Sequence, residues 1–168
     1  MISLTVLGAG DLRELSERLR KAPIKLRAEL FRAFKAAGNP TLRKVKRNIE
    51  TMDIKGYRAR GRAFKQKRSG TAIRQRISDA TELDIYTGSA DPRVKFIVHS
   101  DRLGDARNLP YHLDSGRRFR HPIMGNRSAW AANSGKPWFY QEIRDGLSTF
   151  KDECEKAIDN TIQAIERG

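Results

Sequence analysis

The chain has 168 residues, 34 Lys and Arg against 20 Asp and Glu, and a formal net charge of +14 at pH 7. That length fits one domain, and because only 38% of the residues are hydrophobic we expect a modest core. The single cysteine excludes a disulfide framework within the chain and a cysteine-based metal site, and no apolar run is long enough to span a bilayer. The charge favours a polyanion or an acidic protein surface as partner.

Local patterns predict one strand and then helices in the first part of the chain. Residues 2–7 alternate apolar and polar side chains, which is typical of a strand. Asp11 is placed to cap a helix that begins at Leu12. Apolar residues then recur at helical spacing from about residue 24 to 52, so we predict one long helix that is kinked or broken at Gly38-Asn39-Pro40. The first residues lack a basic and apolar leader pattern, so we expect no signal peptide.

Residues 55–70 form a basic arm without an apolar period. Lys and Arg recur at every second or third residue between glycines, a pattern that predicts a flexible loop. Such spacing can track a phosphate backbone or dock on an acidic protein neighbour, and a solvated surface run is the third interpretation. The candidate contacts are Lys55, Arg58, Arg60, Arg62, Lys65, Lys67 and Arg68.

The remaining periodic segments predict a short helix, a hairpin and a final helix. The short helix runs from Thr71 to about Asp79, and two alternating strands at 83–87 and 94–98 flank a turn cluster. The final helix, from about 138 to 166, carries an apolar stripe in which we interpret Cys154 as a small core residue. We therefore predict an α+β fold, with a long N-terminal and a C-terminal helix packed on a small antiparallel sheet.

Residues 101–137 lack a clear period, and we predict a long ordered contact loop. A stretch of this length in a compact domain is usually functional, and Trp and Arg dominate interface hot spots. The alternative interpretation is a structural lid, with both tryptophans in the core. The candidate contact residues are Arg117, Phe119, Arg120, His121, Asn126, Trp130 and Trp138.

Catalytic patterns are weak throughout the sequence. The three histidines are not spaced as metal ligands, and neither a nucleophile elbow nor a phosphate loop is present. His112 with Asp114 is the best acid–base pair, and a weak one. We therefore predict that the chain is not an enzyme and uses no cofactor or metal.

The motifs in residues 108–139 resemble those of a known family. In order they are Asn108-Leu109-Pro110, Leu113-Asp114-Ser115-Gly116, Arg118-Phe119-Arg120-His121-Pro122, Gly125-Asn126-Arg127, Trp130 and Pro137-Trp138-Phe139. The series is similar to small neck proteins of long-tailed double-stranded DNA phages, typified by gene product ten of a lambda-like phage. The layout of nearly the whole chain fits this family, whereas the motif resemblance covers residues 108–139.

The resemblance implies a non-enzymatic virion protein of the phage neck, either a head–tail connector or a tail-completion protein. It implies a ring of copies between a head-completion or stopper protein and a tail terminator or tail-tube protein, assembled in the host cytoplasm without a membrane. Residues 55–68 would then face genomic double-stranded DNA in the channel or an adjacent ring. The alternative from another class is a stand-alone basic nucleic-acid-binding protein.

Overall fold

The structure is a computed structural model that describes residues 2–7, 13, 17, 24–53, 55–57, 63–64, 69–86, 93–123 and 126–167. The chain divides into two compact units. Unit 1 comprises Met1–Ile2, Val45–Thr81 and Val98–Gln141, and unit 2 comprises Ser3–Lys44, Glu82–Ile97 and Glu142–Gly168. Each unit is therefore built from three separate segments of the chain.

Helices and strands are mixed along the chain, which confirms the predicted α+β class. In chain order the elements are β1 (Ile2–Leu7), α1 (Ile24–Thr51), β2 (Lys55–Tyr57), β3 (Ala63–Phe64), α2 (Ser69–Asp79), β4 (Thr81–Tyr86), β5 (Arg93–Val98), a 3₁₀ helix (Ser100–Ala106), α3 (Leu109–Asp114), β6 (Arg118–Ile123), β7 (Asn126–Ser134), α4 (Tyr140–Asp145) and α5 (Leu147–Glu166). Arg13 and Glu17 are helical, whereas the predicted cap Asp11 and helix start Leu12 lie outside the described residues.

Helix α1 runs from Ile24 to Thr51 and includes Pro40, so the predicted single long helix is confirmed and the break considered at this position does not occur. The proline removes one backbone donor but does not end the helix. Gly38 has a packing role, because a Cβ added there would overlap the Leu83 side chain and lie 3.3 Å from the Phe150 ring. The glycine therefore lets α1 approach β4 and α5 closely within unit 2.

Unit 2 contains a three-stranded sheet in the order β1-β5-β4. Only six residues separate β4 from β5, too few for a parallel crossover, so these neighbours form the predicted antiparallel hairpin. The Phe96 ring of β5 meets the Phe150 ring of α5 edge to face, with centroids 5.6 Å apart. Leu30 and Phe34 of α1 are also buried, so helix and sheet share one core.

The predicted final helix is two helices, α4 and α5, separated at Gly146. Its φ of −94° and ψ of 0° interrupt the regular helical geometry. A Cβ at this position would lie 2.8 Å from the Thr41 hydroxyl oxygen, so a close approach to α1 explains why the chain has a glycine there. The predicted apolar stripe is confirmed at Ile143, Phe150 and Cys154, which are buried.

Two segments predicted as loops contain regular structure. The basic arm includes β2 and β3, and the stretch 101–137 includes the 3₁₀ helix, α3, β6 and β7. These strands have weak periodicity, because β2 is three residues long and β7 is rich in alanine. Their stability comes from pairing between distant parts of the chain, which single-segment patterns do not reveal.

Cys154 gives a test of the core of unit 2. Burial, and then the charges of Glu153 and Glu155, raise the pKa of its thiol to about 12. At pH 8 the thiolate fraction is then roughly a thousandfold below that of an ordinary cysteine, whose pKa is about 8.5. We expect iodoacetamide to modify the native protein at least about a hundredfold more slowly than the urea-unfolded protein. Equal rates, followed by mass spectrometry, would contradict the buried position.

Candidate interaction surface

A four-stranded sheet in unit 1 brings together the two candidate segments of the sequence. Its order is β3-β2-β7-β6, and every neighbouring pair is antiparallel. Strands β2 and β3 belong to the basic arm, whereas β6 and β7 belong to the predicted contact loop. The arm and the loop are therefore parts of one structural element.

The register places one basic residue from each segment in the same row. Lys55 in β2 and Arg118 in β6 both pair with Ser134 in the intervening strand. Residues directly opposite each other in an antiparallel sheet occupy the same face. The next row on this face contains Tyr57, Ala132 and Arg120, and the one beyond contains Trp130 and Pro122. We call the positions Lys55, Arg118, Arg120 and Trp130 the basic face.

The described side chains of the basic face are exposed. Arg118 and Arg120 are exposed, and the Trp130 side chain is 46% exposed. The Arg120 guanidinium carbon lies 5.7 Å from the centroid of the Trp130 ring. A cation–π contact of this kind contributes about 0.5–1 kcal/mol at an exposed site. It orders a large aromatic ring on the surface of a paired strand.

The opposite side of the β6–β7 hairpin carries an aromatic row. Phe119 and His121 are half-buried, alternating with the exposed arginines. The His112 ring of α3 stacks on Phe119 with centroids 5.3 Å apart and planes 18° apart. The Asn133 side-chain nitrogen lies 2.7 Å from His121 Nε2, so the amide N–H donates and the ring nitrogen accepts. These contacts fix which side of the hairpin packs inward.

Asp114 anchors the base of this hairpin. Its Oδ1 accepts hydrogen bonds from the backbone N–H groups of Trp138, at 2.8 Å, and Phe139, at 2.7 Å. The Trp138 indole Nε1 also donates to the Pro110 carbonyl oxygen at 3.4 Å. Asp114 is buried, and a carboxylate with two backbone donors is a structural anchor. This contact accounts for Asp114 without the acid–base role considered with His112.

Gly135 allows the end of β7 to pass close to α3. A Cβ added there would lie 2.6 Å from the Leu113 Cα and 2.7 Å from its carbonyl carbon. These are backbone atoms, which cannot move aside as a flexible side chain can. The glycine is therefore required by the approach of two backbones at the root of the hairpin.

The sequence-predicted contact residues differ in exposure, and Phe119 and His121 are half-buried. Arg117, Arg120 and Trp130 are exposed, and Asn126 begins β7 opposite Ile123. Trp138 is fully buried, so we reassign it from the contact set to the core. Arg58, Arg60, Arg62, Lys65, Lys67 and Arg68 lie outside the described residues, and Lys55 lies in β2.

Sequence reasoning missed Arg118 as a candidate contact. It is exposed and shares a row with Lys55. The signal was the alternation of basic and aromatic residues over Arg118-Phe119-Arg120-His121, which has the two-residue period of a strand.

The charge of the chain is concentrated in unit 1. This unit has 18 Lys and Arg against 6 Asp and Glu, a net of +12, whereas unit 2 has 16 against 14, a net of +2. Neither of the segments that form the sheet contains an acidic residue. Residues 54–78 include nine Lys and Arg, and residues 115–141 include five. The four-stranded sheet is therefore built from two segments that contain no acidic residue.

Unit 2 has a groove of about 830 Å³ between α1 and residues 145–164. Small and apolar residues, such as Ala33, Ala37 and Ala157, line most of it, and charged residues such as Glu29 and Lys44 also border it. Nothing in this lining selects a particular ligand.

The described residues contain no candidate metal site and no candidate membrane-spanning helix. Within those ranges, no three His, Cys, Asp or Glu residues are grouped so that they could hold a metal ion. Within the same ranges, every helix is too short or too polar to cross a membrane.

Comparison with protein-family models, with curated proteins and with solved structures finds no match to this chain. The resemblance to phage neck proteins stays a prediction from the layout of the chain and from the motifs of residues 108–139. Of these, the Leu-Asp-Ser-Gly and Pro-Trp-Phe motifs meet at the Asp114 anchor, and the Arg-Phe-Arg-His motif forms β6.

Replacing Asp114 tests the anchor. In Asp114→Ala two buried N–H groups lose their acceptor, so we expect the free energy of unfolding to fall by about 2–4 kcal/mol. Asp114→Asn retains a carbonyl oxygen acceptor and should lose about half as much. Asp105→Ala is the control, because Asp105 is exposed, and should change stability by less than about 0.5 kcal/mol. Urea titration followed by circular dichroism measures all three, and equal effects at both positions would refute the anchor.

Proposed function

We propose that this chain is a structural, non-enzymatic subunit of the neck of a long-tailed double-stranded DNA phage. Copies of it form part of a ring that joins the DNA-filled head to the tail, as a head–tail connector or tail-completion protein. The observation that carries the proposal is the different environment of the two tryptophans in the neck-protein-like motifs. Trp138 is buried, whereas Trp130 is 46% exposed and ordered by Arg120.

An exposed tryptophan on a paired strand favours a protein contact. Exposing a large aromatic ring forgoes the stabilisation of burying it, about 1.5–3 kcal/mol for a large apolar side chain. Trp and Arg are enriched among the residues that dominate binding energy in interfaces. The strand also fixes the ring before binding, which reduces the entropy lost on association. Trp130 and Arg120 therefore suit a permanent contact within an assembly.

The uneven distribution of charge supports a subunit that makes heterologous contacts, through a basic face and an acidic helix. The basic face belongs to unit 1, whereas α5 of unit 2 carries the exposed acids Asp152, Glu153, Glu155 and Asp159. Contacts between unlike surfaces of successive copies close into rings when the rotation allows. The partners that this role requires are further copies, a head-completion or stopper protein and a tail terminator or tail-tube protein.

Loss of the protein provides the primary test. In a phage whose gene for this chain carries a stop codon, we expect heads and tails that accumulate without joining, as seen by electron microscopy of lysates. Complementation with the wild-type gene should restore joined particles that contain the protein by mass spectrometry. Normal joined virions without the protein would refute the proposed function.

Substitution of Trp130 tests the contact surface. We expect Trp130→Ala to complement poorly, because losing a hot-spot aromatic typically costs about 2 kcal/mol or more of binding energy. Tyr86→Ala is the matched control, since Tyr86 is a 43%-exposed aromatic on a strand of unit 2. Equal complementation by the two variants, at equal protein levels, would remove Trp130 from the assembly contact.

A stand-alone basic nucleic-acid-binding protein is the second candidate, favoured by the +12 charge of unit 1. Such a protein would be absent from purified particles and would bind nucleic acid tightly without any virion component. Its loss would leave head–tail joining intact, so the stop-codon experiment separates the two functions.

A further inference from the structure

The strongest feature beyond the proposed function is the joining of two acid-free segments in one sheet. The segments 54–78 and 115–141 are far apart in the sequence, and neither contains an Asp or Glu. Pairing of β2 with β7 and of β7 with β6 places Lys55 and Arg118 on either side of Ser134. Strand pairing therefore brings basic residues from two distant segments close together, in addition to the overall excess of bases in the sequence.

We infer that the basic face binds the phosphate backbone of duplex nucleic acid without sequence preference. The proposed neck function leaves open whether DNA or protein contacts the arm, and this inference assigns the ligand. It does not require that function, because charge and register alone support it.

The spacing of the face suits a phosphate backbone. Neighbouring strands lie about 4.8 Å apart, so positions 55 and 118, two strands apart, are separated by about 10 Å. Positions 118 and 120 are separated by about 7 Å along β6. Duplex DNA presents one negative charge per about 1.7 Å of its axis, so a patch of this size faces several phosphates at once.

The aromatic content of the face favours a duplex over a single strand. Platforms for single strands stack successive bases on several exposed aromatic rings. On the described side chains of the basic face, the exposed ring is Trp130, and Arg120 already lies over it. This face therefore favours contacts between its cationic side chains and the phosphate backbone over base stacking.

The acidic helix of a second copy is a weaker candidate for the same face. Helix α5 has five acids and two lysines, a net of −3, against the fourteen bases of the two sheet segments. Lys156, which that net charge already includes, pairs with Glu153 at 3.0 Å, so one of the five acids is already engaged within α5. Unit 2 as a whole is positive at +2, so its net charge favours this particular face less than a polyanion does.

Fluorescence anisotropy with the full-length protein and two unrelated 30-base-pair duplexes tests the inference. We expect equal affinities for both sequences, with Kd of about 10⁻⁴–10⁻⁶ M at physiological salt. The affinity should fall steeply as salt rises, because binding releases counterions. In Lys55→Gln/Arg118→Gln the slope of log K against log salt should decrease in magnitude by about two, one for each lost phosphate contact.

Two matched variants control for charge and for folding. Arg32→Gln/Lys35→Gln removes the same charge from exposed positions of α1 in unit 2 and should leave the slope nearly unchanged. Lys55→Arg/Arg118→Lys keeps the charge and should keep the binding. Equal slopes for the two glutamine variants would overturn the inference, as would the absence of binding by the wild-type protein at low salt.

A footprint on the wild-type protein keeps the inference testable if the sheet variant does not fold. Bound duplex should shield Arg118 from phenylglyoxal, relative to Arg32, as measured by mass spectrometry. Unchanged modification at saturating DNA would refute the site.

The outcomes distinguish failure of this inference from failure of the proposed function. If DNA does not bind and stop-codon particles still fail to join, the neck function stands and a protein ligand replaces DNA. If DNA binds and particles join normally, the neck function fails alone.

Discussion

The Asp114 carboxylate is the contact on which the geometry of the candidate surface depends. By accepting the N–H groups of Trp138 and Phe139, it ties the end of α3 to the start of α4, and the whole β6–β7 hairpin lies between these two points. Charge-assisted hydrogen bonds contribute about 1.5–3 kcal/mol each. Gly135 permits the same approach at the root of the hairpin, where a side chain would meet the Leu113 backbone. Asp114, Trp138 and Phe139 thus hold the hairpin in place. The hairpin in turn presents Arg118, Arg120 and Trp130 on its surface.

The anchored hairpin explains how one short sequence can be basic on one side and packed on the other. Phe119 is half-buried and stacks on the exposed His112 ring, while the arginines beside it in sequence are exposed. Because side chains alternate along a strand, fixing Phe119 also fixes Arg118 and Arg120 on the outer face. Like charges on that face repel one another, and a bound polyanion would relieve the repulsion. The packing of Phe119 therefore keeps the charged side chains of Arg118 and Arg120 on the exposed face.

Local periodicity predicted the elements whose residues carry their own signal. Strand β1, helix α2 and the β4–β5 hairpin follow from alternation or helical spacing within a few residues. The four-stranded sheet did not follow, because β2 is short and its partner Ser134 is distant in the sequence. Likewise the interruption at Gly146 depends on the nearby Thr41, which no pattern within the helix reveals. The basic residues of the site could be named from sequence, but their shared face could not.

The two ends of the hairpin suit different ligands, so the two proposals need not compete for one surface. Trp130 pairs with Pro122 towards the turn, whereas Arg118 and Lys55 flank Ser134 at the root, beside the basic arm. An aromatic ring at the turn favours a dry protein contact, while cations at the root favour a hydrated phosphate backbone. Arg120 lies between them and already contacts Trp130. In the proposed neck role a subunit would contact both its neighbours and DNA, and a division of the hairpin into these two ends would allow both contacts at once.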